Sequence, residues 1–337
     1  TNDGRVGVED LSLATSNISN STGFGAPPVY KRALPRSNAG SRLEVVAPDF
    51  AGAWRAGEEV ELVFDLVINH ASSAHAHFQD FLADRAPGKD YFLTAELNQD
   101  LSGVTRPRAT PLLQTYETAQ GPRHVWCTFS RDQVDWDFSN PEVLYAFIDI
   151  FVTYIEQGAS WVRLDAIAYL WKDLETACVH LPQTHAVVKL LRVIAEAIAP
   201  GFKLLTETNV PLAENLSYFG EGDEAHIVYN FSLPPLLTHA LLCGQSRHLT
   251  RWCQSLPPLP KGCTYLNFTA SHDGIGLRPV EGILDADELG QLLSCVLAFD
   301  GRLTERCRPD GSLSPYEANI SLFDALKGML PCRFFPG

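Results

Sequence analysis

The chain has 337 residues, 45% of them hydrophobic and 20% charged, which is enough to bury a large core in one α/β domain or two smaller ones. With 26 basic and 40 acidic residues the net charge is −14, which argues against nucleic acid and anionic membranes as partners. No apolar run reaches the roughly 18–20 residues of a membrane-spanning helix. The composition also excludes disordered, collagen-like and coiled-coil proteins.

Residues 1–57 are predicted to be a poorly ordered or unrelated lead-in, because most of them are Ser, Asn, Gly, Ala and Arg without periodicity. Beyond them, five short, apolar, β-branched runs predict buried parallel strands. The runs lie at residues 60–68, 161–164, 202–205, 226–231 and 265–268.

Three segments near these runs predict helices. The first begins at Ser139-Asn140-Pro141-Glu142, which supplies a cap, a proline and an acid in the first turn, and it ends at Gly158. The others span about 182–199 and about 286–299. Strand and helix alternating at this spacing predict a parallel sheet or a (β/α)-barrel. Residues 71–137 interrupt the alternation and are predicted to be an excursion or a small domain.

Four strand-end segments carry acidic residues. They are Asp65-Leu66-Val67-Ile68-Asn69-His70, Arg163-Leu164-Asp165, Glu207-Thr208-Asn209 and His272-Asp273. In a barrel the carboxyl ends of the strands face one mouth, where active sites lie. Carboxylates gathered there repel one another at a cost in stability. Such a cluster is most easily explained if its members act together in function. Any one of these acids alone is more often a helix cap or a surface ion pair, but the set as a whole favours function.

Paired carboxylates that flank a bond are the equipment of glycosyl transfer through an oxocarbenium-like transition state. One protonates the leaving oxygen, while the other attacks the anomeric carbon or activates water. The four segments therefore predict chemistry on a sugar.

In order and spacing, the four segments resemble the four short regions of the α-amylase superfamily, glycoside hydrolase family 13. The flanking residues are similar to the sucrose phosphorylase branch and, near the end, to its glucosylglycerate phosphorylase type. They include Glu207-Thr208-Asn209-Val210-Pro211, Ser271-His272-Asp273-Gly274-Ile275-Gly276-Leu277-Arg278-Pro279 and Ser314-Pro315-Tyr316-Glu317. The resemblance covers about residues 60–327.

The resemblance implies a (β/α)8 TIM-barrel fold and a retaining double displacement. Asp165 would be the nucleophile, Glu207 the general acid and then the base, and Asp273 would hold the sugar hydroxyls in the transition state. Arg163 would hold Asp165 through charge-assisted contacts. The glucosyl unit would be hydrogen-bonded by Asp65, His70 and His272.

Compared with the family pattern, the chain is expected to be incomplete at both ends. Residues 58–330 would contain about strands three to seven of the barrel, with an insertion domain at 71–137 after strand three. The C-terminal β domain of the family would be absent. This organisation is an expectation from the resemblance alone.

Phosphate would need a positive group beyond Arg163 in so acidic a mouth. Arg278 follows Asp273 on a loop with two glycines, so we expect it to contact phosphate or the carboxylate of a glycerate-type substrate. The alternative is a surface arginine paired with Glu281.

No metal and no cofactor are predicted. His70, His75 and His77 are close in sequence, but no cysteine or acid set accompanies them. The position of Asn69 often helps to bind calcium in amylases, although the phosphorylase branch generally lacks that ion. Gly23-Phe24-Gly25 is a lone G-x-G with no strand before it and no helix after it, so no dinucleotide site is predicted there.

The predicted function is phosphorolysis of an α-glucoside, such as sucrose or glucosylglycerate, to glucose 1-phosphate. The partners would be a small sugar and phosphate, without nucleic acid or membrane. The eight scattered cysteines lack a C-x-x-C pair, so reduced thiols and a cytoplasmic location are expected. Two alternatives stay open: an inactive barrel fragment with at most sugar binding, and an amylase-like α-glucoside hydrolase.

Overall fold

The computed structural model describes residues 30–33, 43–45, 61–308 and 310–326. The strands in these ranges are β1 (Tyr30–Ala33), β2 (Leu43–Val45), β3 (Val63–Val67), β4 (His70–Ser72), β5 (Leu113–Thr118), β6 (Gly121–Trp126), β7 (Gln133–Asp135), β8 (Trp161–Asp165), β9 (Lys203–Thr206), β10 (Ile227–Tyr229), β11 (Thr264–Leu266), β12 (Ile275–Gly276), β13 (Arg302–Cys307) and β14 (Leu313–Asn319). The helices are α1 (Ala76–Leu82), α2 (Pro141–Glu156), α3 (Pro182–Ile198), α4 (Leu212–Leu216), α5 (Leu233–Cys243), α6 (Arg247–Ser255), α7 (Ala286–Ala298) and α8 (Leu322–Ala325).

Five parallel strands form the central sheet, in the order β11-β10-β9-β8-β3. The three inner strands contribute fully buried apolar residues to the core, among them Val162 of β8, Leu204 of β9 and Val228 of β10. Helices α2 to α6 lie in the connections between successive strands, as parallel pairing requires. All five predicted strands and their parallel pairing are confirmed, and the sheet has the βα order of a barrel.

The three predicted helices are also confirmed. Helix α2 begins where Asn140 accepts a hydrogen bond from the Glu142 N–H at 3.0 Å, with Pro141 in its first turn. Its buried side chains recur every three or four residues, as the face of a core-packed helix must: Val143, Phe147, Phe151 and Tyr154. Helix α7 begins with a capping box between Asp285 and Glu288.

The excursion, residues 71–137, starts and finishes side by side, because β4 and β7 pair antiparallel with His70 opposite Asp135. Its aromatic side chains join the main core, with the rings of Phe92 and Trp136 stacked at 4.5 Å. It also contains helix α1 and the β5–β6 hairpin, which the sequence pattern did not predict. This path brings both ends of the excursion beside the carboxyl end of β3.

A three-stranded antiparallel sheet comes after the central sheet along the chain, in the order β12-β14-β13. The sequence predicted no strands here. Most of the predicted lead-in lies outside the described residues; within it, β1 and β2 pair antiparallel. No helix in the described ranges is long and apolar enough to cross a membrane.

Candidate active site

A pocket of about 250 Å³ lies at the carboxyl ends of the central strands. Two sets of side chains line it. The strand-end wall consists of Asp165 at the end of β8, Glu207 directly after β9 and Asp273 beyond β11. The outer wall consists of Arg108 and Phe129 from the excursion and Tyr316 and Glu317 from β14. His70 and His272 also line the pocket.

Asp165 is held by a buried arginine. Residues two apart on a strand point to the same face, so Arg163 and Asp165 both face away from Leu164, which is fully buried. The Arg163 guanidinium donates to Asp165 Oδ1 at 2.6 Å and to both carboxylate oxygens of Asp65 at 2.8 and 2.9 Å. These charge-assisted bonds fix the Asp165 carboxylate at the pocket surface.

Asp65 pairs with Arg163 and is not among the residues that line the pocket. Its register partner across the sheet is Arg163, which explains the direct contact. Burial raises the pKa of Asp65 to about 6, against the opposing charge of Arg163. The implied contact between Asp65 and a glucosyl unit stays a prediction.

Glu207 is set apart from Asp165 by its surroundings. Burial raises the pKa of Glu207 to about 8; Arg163 opposes this rise, and the charges of Asp165 and Asp273 add to it. Its Oε2 accepts the Ala166 N–H at 3.0 Å. Ala166 adopts φ of 50°, a strained conformation for a residue with a Cβ, and this turn directs its N–H towards Glu207. A carboxyl group with so high a pKa keeps its proton at neutral pH and can donate it.

His70 reaches the pocket from a buried polar network. Burial lowers the pKa of His70, which favours the neutral ring. Its neighbour Asn69 accepts a hydrogen bond from Lys172 Nζ at 2.8 Å, and Lys172 forms a 2.6 Å ion pair with the fully buried Asp135. The ammonium therefore occupies the space between the Asn69 and Asp135 oxygens, the kind of ligands that calcium prefers. Within the described residues no cluster of three or more His, Cys, Asp or Glu is arranged for a metal ion.

Asp273 and His272 follow β11 on an exposed segment. His272 Nε2 lies 3.3 Å from Asp273 Oδ2. Both side chains are about half exposed, unlike the buried groups around Asp165. The structure thus brings Asp165, Glu207, Asp273, His70 and His272 to one pocket.

Arg108 is the site residue that sequence reasoning missed. Its guanidinium lies over the ring of Tyr316 at 4.8 Å and near that of Phe129 at 5.7 Å, and its Nη2 lies 3.5 Å from Glu317 Oε2. No local pattern around residue 108 indicates this position, because it depends on the approach of β14. The need for a positive group in the mouth is the signal that the sequence offers, and it favours Arg278 instead.

Arg278 lies elsewhere, outside the residues that line this pocket. The alternative prediction of a surface pair with Glu281 is wrong. Arg278 is buried and donates to Glu214 at 3.4 Å, whereas Glu281 pairs with Arg306. The turn over residues 278–280 follows β12 and is buried as a whole, so Arg278 is not a surface side chain.

Comparison with known proteins places this geometry in context. Residues 56–253, more than half of the chain, match the family model for the α-amylase catalytic domain. The chain is 47% identical over 279 residues to the glucosylglycerate phosphorylase of Spirochaeta thermophila, covering 82% of the chain and 47% of that protein. It is 44% identical over 282 residues to the same enzyme of Escherichia coli, covering 82% and 50%. The chain therefore spans about half the length of the curated relatives it matches.

More distant similarity extends to other phosphorylases. The sucrose phosphorylase of Bifidobacterium adolescentis is 29% identical, over 82% of this chain and 57% of that protein. The crystal structure of sucrose 6F-phosphate phosphorylase from Thermoanaerobacter thermosaccharolyticum superimposes with a TM-score of 0.68 at 22% identity, over 80% of this chain and 57% of that one. At that identity the structure supports the fold alone. The family match, the βα order of the central sheet and the strand-end acids agree: this chain belongs to the α-amylase family and contains residues of its (β/α)8-type catalytic domain.

Proposed function

We propose that this protein is a retaining glucosyl-transferring enzyme that cleaves an α-glucoside with phosphate and releases glucose 1-phosphate. One observation carries the proposal. Asp165 and Glu207 line a single pocket in unlike surroundings, Asp165 held by Arg163 and Glu207 buried with a raised pKa. Two carboxyl groups in such different environments suit different roles, one as the nucleophile and the other as the acid.

In the first step, Asp165 attacks the anomeric carbon while the bond to the leaving oxygen breaks and Glu207 gives its proton to that oxygen. A covalent glucosyl ester on Asp165 results. In the second step, a phosphate oxygen attacks the same carbon, the ester bond breaks, and the Glu207 carboxylate takes any proton that the phosphate loses. Two inversions restore the original configuration.

The other strand-end residues are proposed to bind the glucosyl unit. Asp273 would hold its hydroxyls and favour the distorted transition state. Hydrogen bonds between the glucosyl unit and His70, His272 and Asp65 would complete this subsite. Arg163 would hold Asp165 in the attacking position through the 2.6 Å contact.

Arg108 is proposed to bind the phosphate. It is the arginine that lines the pocket, and its side chain is held by two aromatic rings. Arg278, which the sequence argument favoured, points to Glu214 instead. The dependence of turnover on phosphate therefore distinguishes Arg108 from Arg278 as the phosphate-binding residue.

We propose glucosylglycerate as the substrate, because the most similar of the relatives named above are glucosylglycerate phosphorylases. We further propose that residues 58–330 are strands three to seven of the barrel with an insertion domain at 71–137. A cytoplasmic location is proposed as well, since the seven cysteines in the described ranges are free thiols.

The test is release of glucose 1-phosphate from glucosylglycerate and from sucrose, with and without phosphate. Glucose 1-phosphate that appears only with phosphate supports the proposal. Free glucose at a rate independent of phosphate would indicate an amylase-like hydrolase instead. The absence of both turnover and a cooperative thermal transition would indicate an inactive fragment.

The acid assignment has a separate test. Glu207→Gln should slow glucosides with poor leaving groups far more than glucosyl fluoride, because only the former need protonation. Equal losses on both donors would contradict the role of Glu207.

A further inference from the structure

Glu317 lies inside the same pocket as the catalytic acids and faces Arg108. Only 8% of its surface is exposed, and its Oε2 is 3.5 Å from Arg108 Nη2. Its backbone is fixed in the middle of β14, opposite Gly276 on β12 and Thr304 on β13. Gly274 packs so closely that an added Cβ would come within 3.0 Å of the Glu317 Cβ. The carboxylate is therefore a built part of the pocket wall.

The strand-end wall makes this position unfavourable for a further negative charge. It already presents Asp165, Glu207 and Asp273. Burial raises the pKa of Glu317; Arg108 opposes this, and Asp273 adds to it. The charged or titratable groups that face Glu317 are Arg108, Asp273 and its neighbour Tyr316, since its strand partners do not titrate. Among the residues that the structure describes, Arg108 is the cation that offsets the charge of Glu317.

We propose that Glu317 is an internal competitor for Arg108, so that an anion binds in the outer wall only as Glu317 releases the guanidinium and takes up a proton. The inference rests on the proposed function, which requires an anion in this pocket. That anion is phosphate or the carboxylate of the substrate, and both would use the same guanidinium. Glu317 thereby determines how tightly the anion binds and at what pH.

The exchange balances in charge and protons. Before binding, Arg108 faces the ionised Glu317. Afterwards Arg108 faces the anion, and one proton from solvent has neutralised Glu317, because two anions beside one guanidinium repel each other. The protonated carboxyl can then donate its O–H to the anion. Reciprocally, raising the pH must weaken anion binding through Glu317.

Isothermal titration calorimetry of the whole chain tests this coupling. The probes are inorganic phosphate, sulfate as an analogue that does not titrate near neutral pH, and glycerate in a separate arm. Each is titrated in two buffers of different ionisation enthalpy, which reports the protons taken up. The variants are Glu317→Gln and the matched control Glu196→Gln, which removes a surface carboxylate that also pairs with an arginine.

The wild type and Glu196→Gln should take up protons on binding. Glu317→Gln should lose that part of the uptake and bind the probe about tenfold more tightly at pH 8, with the gain shrinking as the pH falls. A gain in affinity for phosphate and sulfate identifies the bound anion as phosphate. A gain confined to glycerate identifies it as the carboxylate of the substrate. Either outcome supports the competition.

Unchanged proton uptake, or weaker binding, in a Glu317→Gln protein that melts like the wild type would overturn the inference. If that variant melts at a lower temperature, the pH dependence of sulfate binding to the wild type is the deciding measurement. An affinity for sulfate that does not fall between pH 6 and pH 8 would also overturn the inference. Coupled binding without glucose 1-phosphate formation would leave the inference standing and contradict the proposed function. Turnover without coupling would do the reverse.

Discussion

The two walls of the pocket are built in different ways. Each residue of the strand-end wall lies at or beyond the carboxyl end of its own strand of the central sheet, so local sequence largely determines where it lies. The outer wall joins Arg108 of the excursion to Tyr316 and Glu317 of β14, which are distant in sequence. On the proposed function, the parallel sheet would position the groups that form the glucosyl intermediate, whereas the added segments would bind the molecule that receives the glucosyl unit.

The largest expected effect is on the strand-end wall. Asp165→Asn keeps the shape of the side chain but removes the nucleophile, so turnover should fall on the order of 10⁴-fold or more. Steady-state assay of glucose 1-phosphate release measures this loss. Activity within tenfold of the wild type would show that Asp165 is not the nucleophile.

The next effect is on the connection between the walls. Lys172 follows β8 and pairs at 2.6 Å with Asp135 on β7, where the excursion returns to the sheet. Lys172→Met would leave the fully buried Asp135 without its cation and should lower the free energy of unfolding by about 3–5 kcal/mol. Urea denaturation measures the change. Exposed Lys189→Met is the matched control and should change stability by less than about 1 kcal/mol.

A smaller, selective effect is expected on the outer wall. Arg108→Gln removes the pocket cation, so the KM for phosphate should rise about ten- to a hundredfold while hydrolysis of the donor continues. Kinetics at varied phosphate test this. If Arg278→Ala raises that KM and Arg108→Gln does not, Arg278 rather than Arg108 binds the phosphate.

The smallest effect concerns stability and pH. The pKa of Glu207 is raised from 4.5 to about 8, so the folded protein holds this proton more tightly than the unfolded chain does. The resulting stability is complete below pH 4.5 and is lost as the pH rises through 8. Glu207→Gln avoids that loss and should therefore be more stable than the wild type at pH 8 but not at pH 4.5. Paired thermal melts would contradict this if the difference did not grow with pH.

Much of the central sheet could be predicted from the sequence, because its signals are local. The apolar run before Asp165 and the cap at Asn140 each specify an element without reference to the rest of the chain. The β5–β6 hairpin and the β12-β14-β13 sheet carry no such pattern. Strands β5 and β13 are only partly buried, and the buried residues of β14 include Ser314 and Glu317, which do not form an apolar run.

The site divides along the same line. Asp165 and Glu207 could be identified because each ends a strand, and Arg163 because it shares a face with Asp165. Arg108 could not be identified, since its position follows from contacts with Tyr316 that only the folded chain creates. Arg278 was favoured for its sequence distance from Asp273, but its guanidinium is turned towards Glu214.

The central claim is that the strand-end wall forms a covalent intermediate on Asp165. The most direct measurement is mass spectrometry of Glu207→Gln treated with α-glucosyl fluoride. This donor needs no general acid to react, and the glucosyl ester then breaks down slowly because the variant lacks the general base. The account predicts a mass gain of one anhydroglucose unit, located on Asp165 by peptide mapping and removed by added phosphate as α-glucose 1-phosphate. No adduct during turnover of the fluoride, or an adduct on another carboxylate, would contradict it.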